Sequence, residues 1–191
     1  MTTGEYITIF AAILVGLAVA DIALSFHRLL RAGRKVKWDW LSPIIALIVL
    51  CYILNLWWGL YHDYSNVEQV LFGWFLLDVA TLLALFLMSA AVLPDSIPDK
   101  GIDLREFYMA NRKHFWITYM VYLVFVIAKN SQLIARLELD SATWAEANVP
   151  LIVLIGFSIV LILSRRVWLH LLMIAAQIYT IAGVWLFYSI Q

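Results

Sequence analysis

Runs of about twenty apolar residues, the length that crosses a bilayer as a helix, recur along the chain with short polar breaks between them. They predict six spans: about Tyr6 to Phe26, Leu41 to Tyr61, Val67 to Leu93, Phe115 to Arg136, Val149 to Leu163 and Val167 to Ile190. The third span has to stop where Pro94 and Pro98 bracket Asp-Ser-Ile, because proline lacks the N–H and clashes with the preceding turn. Pro150 opens the fifth span, which is short for a bilayer unless Trp144 upstream anchors it at the interface and lengthens it. Between spans three and four, Asp103 and Glu106 have capping-box spacing, and Leu104, Phe107, Tyr108 and Asn111 recur at helical intervals. This pattern predicts a short amphipathic helix on the membrane surface that leads into span four.

The expected fold is therefore all-α, a polytopic membrane bundle forming one domain over residues 1–191. Three spans followed by three also permit an inverted repeat, about 1–93 and 115–191. One offset lays Pro43 over Pro150 and Phe10 over Ile117, but the other matches are generic apolar ones.

Composition agrees with this pattern. Of the 191 residues 64% are hydrophobic and 14% charged, with a mean hydropathy of +0.90, which is far from the balance of a soluble domain. Six spans use up the length, so no separate soluble domain fits. The first apolar run follows Met-Thr-Thr-Gly-Glu without a basic region or a small-residue cleavage site, and is expected to be a permanent span rather than a cleaved signal. Cys51 is the single cysteine, so neither a disulfide framework nor a multi-thiolate metal site can be built within one chain. The formal net charge is zero and there is no basic surface for nucleic acid.

Where the basic residues lie matters more than their sum. Eleven fall in the first, third and fifth connections and the spans' adjoining ends, from Arg28 to Lys37, Lys100 to Lys113, and Arg165 with Arg166. Only Lys129 and Arg136 fall toward the other side, where Glu5, Asp63, Glu68, Glu138, Asp140 and Glu146 gather. Lysine- and arginine-rich loops stay in the cytoplasm, so both termini are expected outside, in a multi-pass protein of the plasma membrane, the bacterial inner membrane. Tryptophan, which favours the headgroup level, divides in the same way. Trp38, Trp40, Trp116 and Trp168 map to the inner interface, Trp57, Trp58, Trp144 and Trp185 to the outer one, and Trp74 deeper.

Ionisable groups inside spans cost about 2.5 to 3.5 kcal/mol each on insertion scales and normally face other helices or water. Trp74, Asp78, Thr81, Leu85 and Ser89 share one face of span three; Thr118, Tyr122, Lys129, Gln132 and Arg136 share one of span four. Span six carries His170, Gln177 and Thr180, and span two Asn55 with Cys51 or Tyr52 and His62. Asp78, Lys129 and Asn55 count to comparable depths, in the middle to outer part of the membrane. An ion or solute site is thus expected from Asp78, Lys129 and Asn55, with Thr81, Tyr122 and Gln177 along the path. The simpler role for such a pair is to fix helix packing, and Lys129 has a stem long enough to reach the surface.

A second polar group lies toward the inner side: Asp21 and Ser25 on one face of span one, with His27, His114 and His170 near that interface. No His-Glu-x-x-His, paired-cysteine or Glu-x-x-His pattern accompanies the histidines, so they are expected to be ordinary interfacial side chains. No metal site or cofactor is predicted. Thr8, Ala12, Gly16 and Ala20, spaced by four, form a small-residue face that lets helices approach closely, within the bundle or across a homo-oligomer or membrane-complex interface. Nucleotide-binding loops, a nucleophile elbow, a voltage-sensor helix and a potassium-filter sequence are all missing from the sequence.

A small transporter or channel for an ion, proton or small polar solute is the leading expectation. A non-catalytic accessory or scaffold subunit is the alternative, and a membrane-embedded enzyme or cofactor protein using the inner histidines the third. On balance the chain is expected not to be an enzyme.

Overall fold

The computed structural model of the chain describes residues 3–64 and 70–187, the last four of these by backbone alone. The expected start of span three at Val67, the charge of Glu68, the side chain of Trp185 and the end of span six at Ile190 lie outside the described residues. Six helices account for nearly all of the rest: α1 (Thr3–Ala32), α2 (Leu41–Tyr64), α3 (Phe72–Val92), α4 (Leu104–Arg136), α5 (Ser141–Leu163) and α6 (Val167–Phe187). The first five are long and apolar enough to cross a membrane, and Val167–Gly183 of α6 is a shorter apolar helix. A membrane protein is the reading these lengths and compositions support.

Helices α1, α2 and α3 pack on one another, α4 lies against α3 and α5, and α6 contacts α2 and α5. On α1 the packed stripe is Ile7, Ala11, Val15, Ala18, Ile22, Ser25 and Leu29, at the three- and four-residue spacing of one helix face. Its small-residue face is turned away. Ala12, Gly16 and Ala20 are exposed, and a Cβ at Gly16 would meet nothing within 4 Å, so none of the described residues packs closely on that face at Gly16. The branched side chains Ile7, Val15 and Ile22 offer more area to bury than the alanines, and they set the helix's rotation.

The connections α1–α2 and α3–α4 meet at one end of the bundle. There β1 (Val36–Lys37) pairs in parallel with β2 (Ile102–Asp103), Val36 opposite Ile102 and Lys37 opposite Asp103. Salt bridges Lys37–Asp103 (2.6 Å), Arg105–Asp39 (2.9 Å) and Lys35–Asp99 (3.4 Å) cross between the two connections, and Arg28 Nη1 donates to the carbonyl of Asp95 at 3.1 Å. The basic residues that suggested orientation thus also hold two loops together through aspartates. Gly101 comes too close to its neighbour for any side chain: its φ is +86°, and a Cβ there would stand 2.5 Å from the carbonyl oxygen of Lys35. The α5–α6 turn lies at this same basic end, since Tyr108 near the start of α4 meets His170 near the start of α6.

Two expectations are corrected. The amphipathic segment is not a separate surface helix. Asp103 does cap, accepting from the N–H groups of Arg105 (2.9 Å) and Glu106 (3.2 Å), but the helix it starts runs unbroken to Arg136. Leu104 and Tyr108 are buried rather than laid on a bilayer surface, and no proline or glycine interrupts residues 104–136. The fifth helix, likewise, is not opened by Pro150. Asp140 caps it, accepting from Thr143 N at 2.9 Å, so it starts at Ser141 and carries Pro150 inside. At 23 residues it reaches roughly 35 Å, ample for a bilayer. Neighbouring helices can absorb the strain of a proline in such a setting. Asn148, fully buried, donates to Trp144 O at 3.0 Å and accepts from Asn130 of α4 at 3.3 Å. Trp144 Nε1 donates to Ser131 at 2.9 Å, fixing α5 to α4 at the end opposite the basic one.

Candidate functional site

The predicted polar faces of α3 and α4 turn toward each other near that opposite end. Asp78 is 5% exposed, with Thr81, Leu85 and Ser89 buried along the same face. The hydroxyls of Thr81 and Ser89 donate to their own helix, to Leu77 O and Phe86 O at 2.7 Å, which leaves the carboxylate as the group that must find partners elsewhere. It finds two. Lys129 Nζ of α4 forms an ion pair with Oδ1, and the hydroxyl of Tyr64, which ends α2, donates to Oδ2 at 2.5 Å. Three helices are joined through one side chain. Replacing lost hydration in this way is what lets a carboxylate remain buried.

This assembly borders a cleft of about 740 Å³ whose polar lining includes Asp63, Asn130, Gln132 and Arg136. Asp63 is near enough to act electrostatically on both Asp78 and Lys129. The guanidinium of Arg136 lies 5.3 Å from the centre of the Trp74 ring, a cation–π contact that holds the cleft's rim. Asp78 is six residues into α3, roughly 9 Å of rise, and Lys129 seven from the end of α4, roughly 10 Å. The pair therefore sits toward the end of the bundle opposite the β1–β2 pair, not at its middle.

The other expected members are elsewhere. Asn55 is exposed and is not in the cleft. It stands two residues from buried Ile53, about 200° around the helix, so the packing of Ile45, Val49 and Ile53 turns it outward. Tyr122 and Gln177 are buried in a cluster between α2, α4 and α6, where the rings of Tyr52, Tyr119 and Tyr122 lie 5.7 to 6.3 Å apart and Gln177 adjoins Tyr119. Tyr122 and Lys129 share a face of α4, seven residues or about 10 Å apart, so the expected stripe exists but spans two sites.

The secondary group also divides. Ser25 is buried, and Asp21 lies beside Ser89 of α3; Asp21 Oδ2 and Ser25 Oγ are both enclosed without a hydrogen-bond partner. His27 and His114 are exposed, and only His170 is buried, so the three do not converge. Its Nδ1 meets Tyr108 OH at 2.7 Å, Trp116 Nε1 donates to that same oxygen at 3.1 Å, and His170 Nε2 approaches Ser164 O at 3.3 Å. The Ser164 carbonyl can only accept, so Nε2 carries the ring's hydrogen in a neutral imidazole, and the free Nδ1 accepts the proton of the Tyr108 hydroxyl while the indole donates to its oxygen. Four groups form a directed chain. Among the described residues no three His, Cys, Asp or Glu side chains gather to hold a metal ion.

Tyr64, Asp63 and Tyr108 were not anticipated as site residues. A phenol at a span's end looks like an interfacial anchor, and only the partner on another helix distinguishes the two roles. Comparison with family models, curated proteins and solved structures finds no match to this chain.

Proposed function

We propose that this protein is a small transporter or channel for an ion, proton or small polar solute, acting through the cleft beside Asp78 and Lys129. The observation that carries this reading is a buried carboxylate held between an amine and a phenol where a cleft opens. Intramembrane ionisable groups are functional by default, and this one has two exchangeable partners. If Lys129 swings into the cleft, Asp78 is left to take a cation or a proton; if it returns, the cargo is released. Six crossings with both termini outside, proposed from the basic residues at the β1–β2 end, place the cleft on the outer side. Thr81 and Tyr122 then continue inward from the pair.

The decisive experiment is flux in proteoliposomes, of protons and of monovalent cations, for the wild type and for Asp78→Asn and Lys129→Met. Flux that is lost in both variants, with the fold retained, supports the proposal; flux unchanged in both refutes it.

A second reading, an accessory subunit of a larger membrane complex, is favoured by the exposed face of Ala12, Gly16 and Ala20. Close backbone approach is the property such a face offers. A stoichiometric membrane partner that is lost from the purified protein on Gly16→Leu would favour it over transport.

A further inference from the structure

Arg112 is 7% exposed on α4, and no ion pair among the described residues includes it. Nη1 donates to Met109 O of its own helix at 2.6 Å, while Nε is enclosed without a partner. A buried guanidinium lacking a counter-charge is among the costliest arrangements a fold can hold, so a negative charge is the partner this group calls for.

The α5–α6 turn brings further positive charge to the same end. His170 brings the α5–α6 turn against α4 through Ser164 O and Tyr108 OH, and Tyr108 is one helical turn from Arg112. The charge of Arg112 reaches both Tyr108 and His170. The turn itself carries Arg165 and Arg166, both exposed, and no carboxylate among the described residues pairs with either. Helix α6 begins directly after them at Val167, adding the positive end of its dipole and its free N–H groups. Three guanidinium groups with a helix N-terminus match a tetrahedral, multiply accepting oxyanion better than a single carboxylate.

We propose that Arg112, Arg165 and Arg166 form a site at the basic end of the bundle for a phosphoryl oxyanion, supplied by an anionic phospholipid headgroup or by free phosphate. The site is separate from the cleft and does not depend on the transport reading. Arg112 supplies the enclosed fork, the two exposed arginines the outer charge, and the Tyr108–His170–Ser164 chain keeps the turn in place.

The test uses the full chain in a neutral detergent. Native mass spectrometry with added phosphatidylglycerol or phosphatidylcholine reads lipid retention, and thermal unfolding with inorganic phosphate against chloride at equal ionic strength reads the free ion. Preferential phosphatidylglycerol retention identifies the lipid source, and a phosphate-dependent rise in Tm without it identifies the free ion. Either response should weaken about tenfold or more in Arg112→Gln and partly recover in Arg112→Lys. If neither Arg112 variant folds, Arg165→Gln/Arg166→Gln on the exposed turn decides, since it too should weaken the response. No response from the wild type, or one undiminished in the variants that fold, overturns the proposal.

Discussion

The hydroxyl of Tyr64 donates to Oδ2 of Asp78 at 2.5 Å, while Lys129 pairs with the other oxygen of the same carboxylate, so α2 and α4 hold α3 from two directions. The two partners are not energetically equal. Tyr64→Phe removes one interhelical hydrogen bond, worth about 0.6 kcal/mol on average within membrane bundles. Lys129→Met leaves a buried carboxylate without its cation, a change that costs about 3 to 5 kcal/mol in soluble proteins. Combining Asp78→Asn with Lys129→Met removes both charges and should recover most of that loss. Unfolding of the purified protein by heat or graded denaturing detergent measures all three variants; a double variant no more stable than Lys129→Met alone would show that the two charges are not coupled.

Tyr108 is a second point where one side chain serves two partners. Tyr108→Phe leaves Trp116 Nε1 and His170 Nδ1 unpaired in a buried place, at about 1 to 3 kcal/mol for each group stranded. Nitrogen NMR of labelled histidine should find His170 protonated on Nε2 in the wild type, a tautomer inferred from the bonding pattern. Loss of that preference in Tyr108→Phe is expected, and a wild-type ring protonated on Nδ1 would contradict the direction of the chain.

The six apolar segments were legible because an apolar run of about twenty residues matches the thickness of a bilayer; charge at matching depth made an Asp78–Lys129 pair geometrically open, and the structure forms it. What could not be read was helix rotation. Asn55 and Tyr64 both lie on α2, nine residues apart and thus about 180° around the axis, and only the fit of Ile45, Val49 and Ile53 against neighbours chose which one faces Asp78. The α4 boundary failed for a related reason. Leu104 to Asn111 have the same amphipathic spacing whether they lie on a bilayer or on other helices, and burial of Tyr108 against His170 decided the matter. Pro150 misled because the cap at Asp140 starts the helix ahead of it, and packing of α5 on α4 accommodates a proline inside.

Two glycines at the basic end share a positive φ, +52° at Gly33 and +86° at Gly101, yet they should respond differently to alanine. Gly33→Ala meets open space and costs about 1 kcal/mol or a little more for the left-handed conformation. Gly101→Ala adds a collision with the backbone oxygen of Lys35 at 2.5 Å, which no side-chain rotation can relieve, so the β1–β2 pairing itself must open. Amide exchange at residues 36, 37, 102 and 103 should accelerate in Gly101→Ala and stay near wild type in Gly33→Ala. Equal effects would mean that φ alone, and not the contact, constrains Gly101.

The same clip should be acid-sensitive. The Lys37 ammonium and the N–H groups of Glu106 and Arg105 hold the Asp103 carboxyl below its ordinary value, and Asp103 in turn raises Lys37. A lowered carboxylate contributes stability above its unfolded pKa, about 3.9, and that contribution fades as pH falls through the lower folded value. A raised lysine contributes below its unfolded value, about 10.4, and is lost as pH climbs through the higher folded one. The clip is therefore constant between those limits and loosens at both extremes. Because Asp103 also caps α4, acid should speed exchange of the Arg105 and Glu106 amides together with the β1–β2 pair. Asp103→Asn retains a capping oxygen but nothing that ionises, so it should abolish this acid response while leaving α4 capped at neutral pH. Asp140, lowered by its bonds to Thr143, caps α5 without a lysine and gives the comparison. There acid should free the cap alone, with no accompanying change between loops. If raised salt, which screens exposed charges within about 10 Å at 0.1 M, weakens the two caps equally, Lys37 is not what distinguishes Asp103.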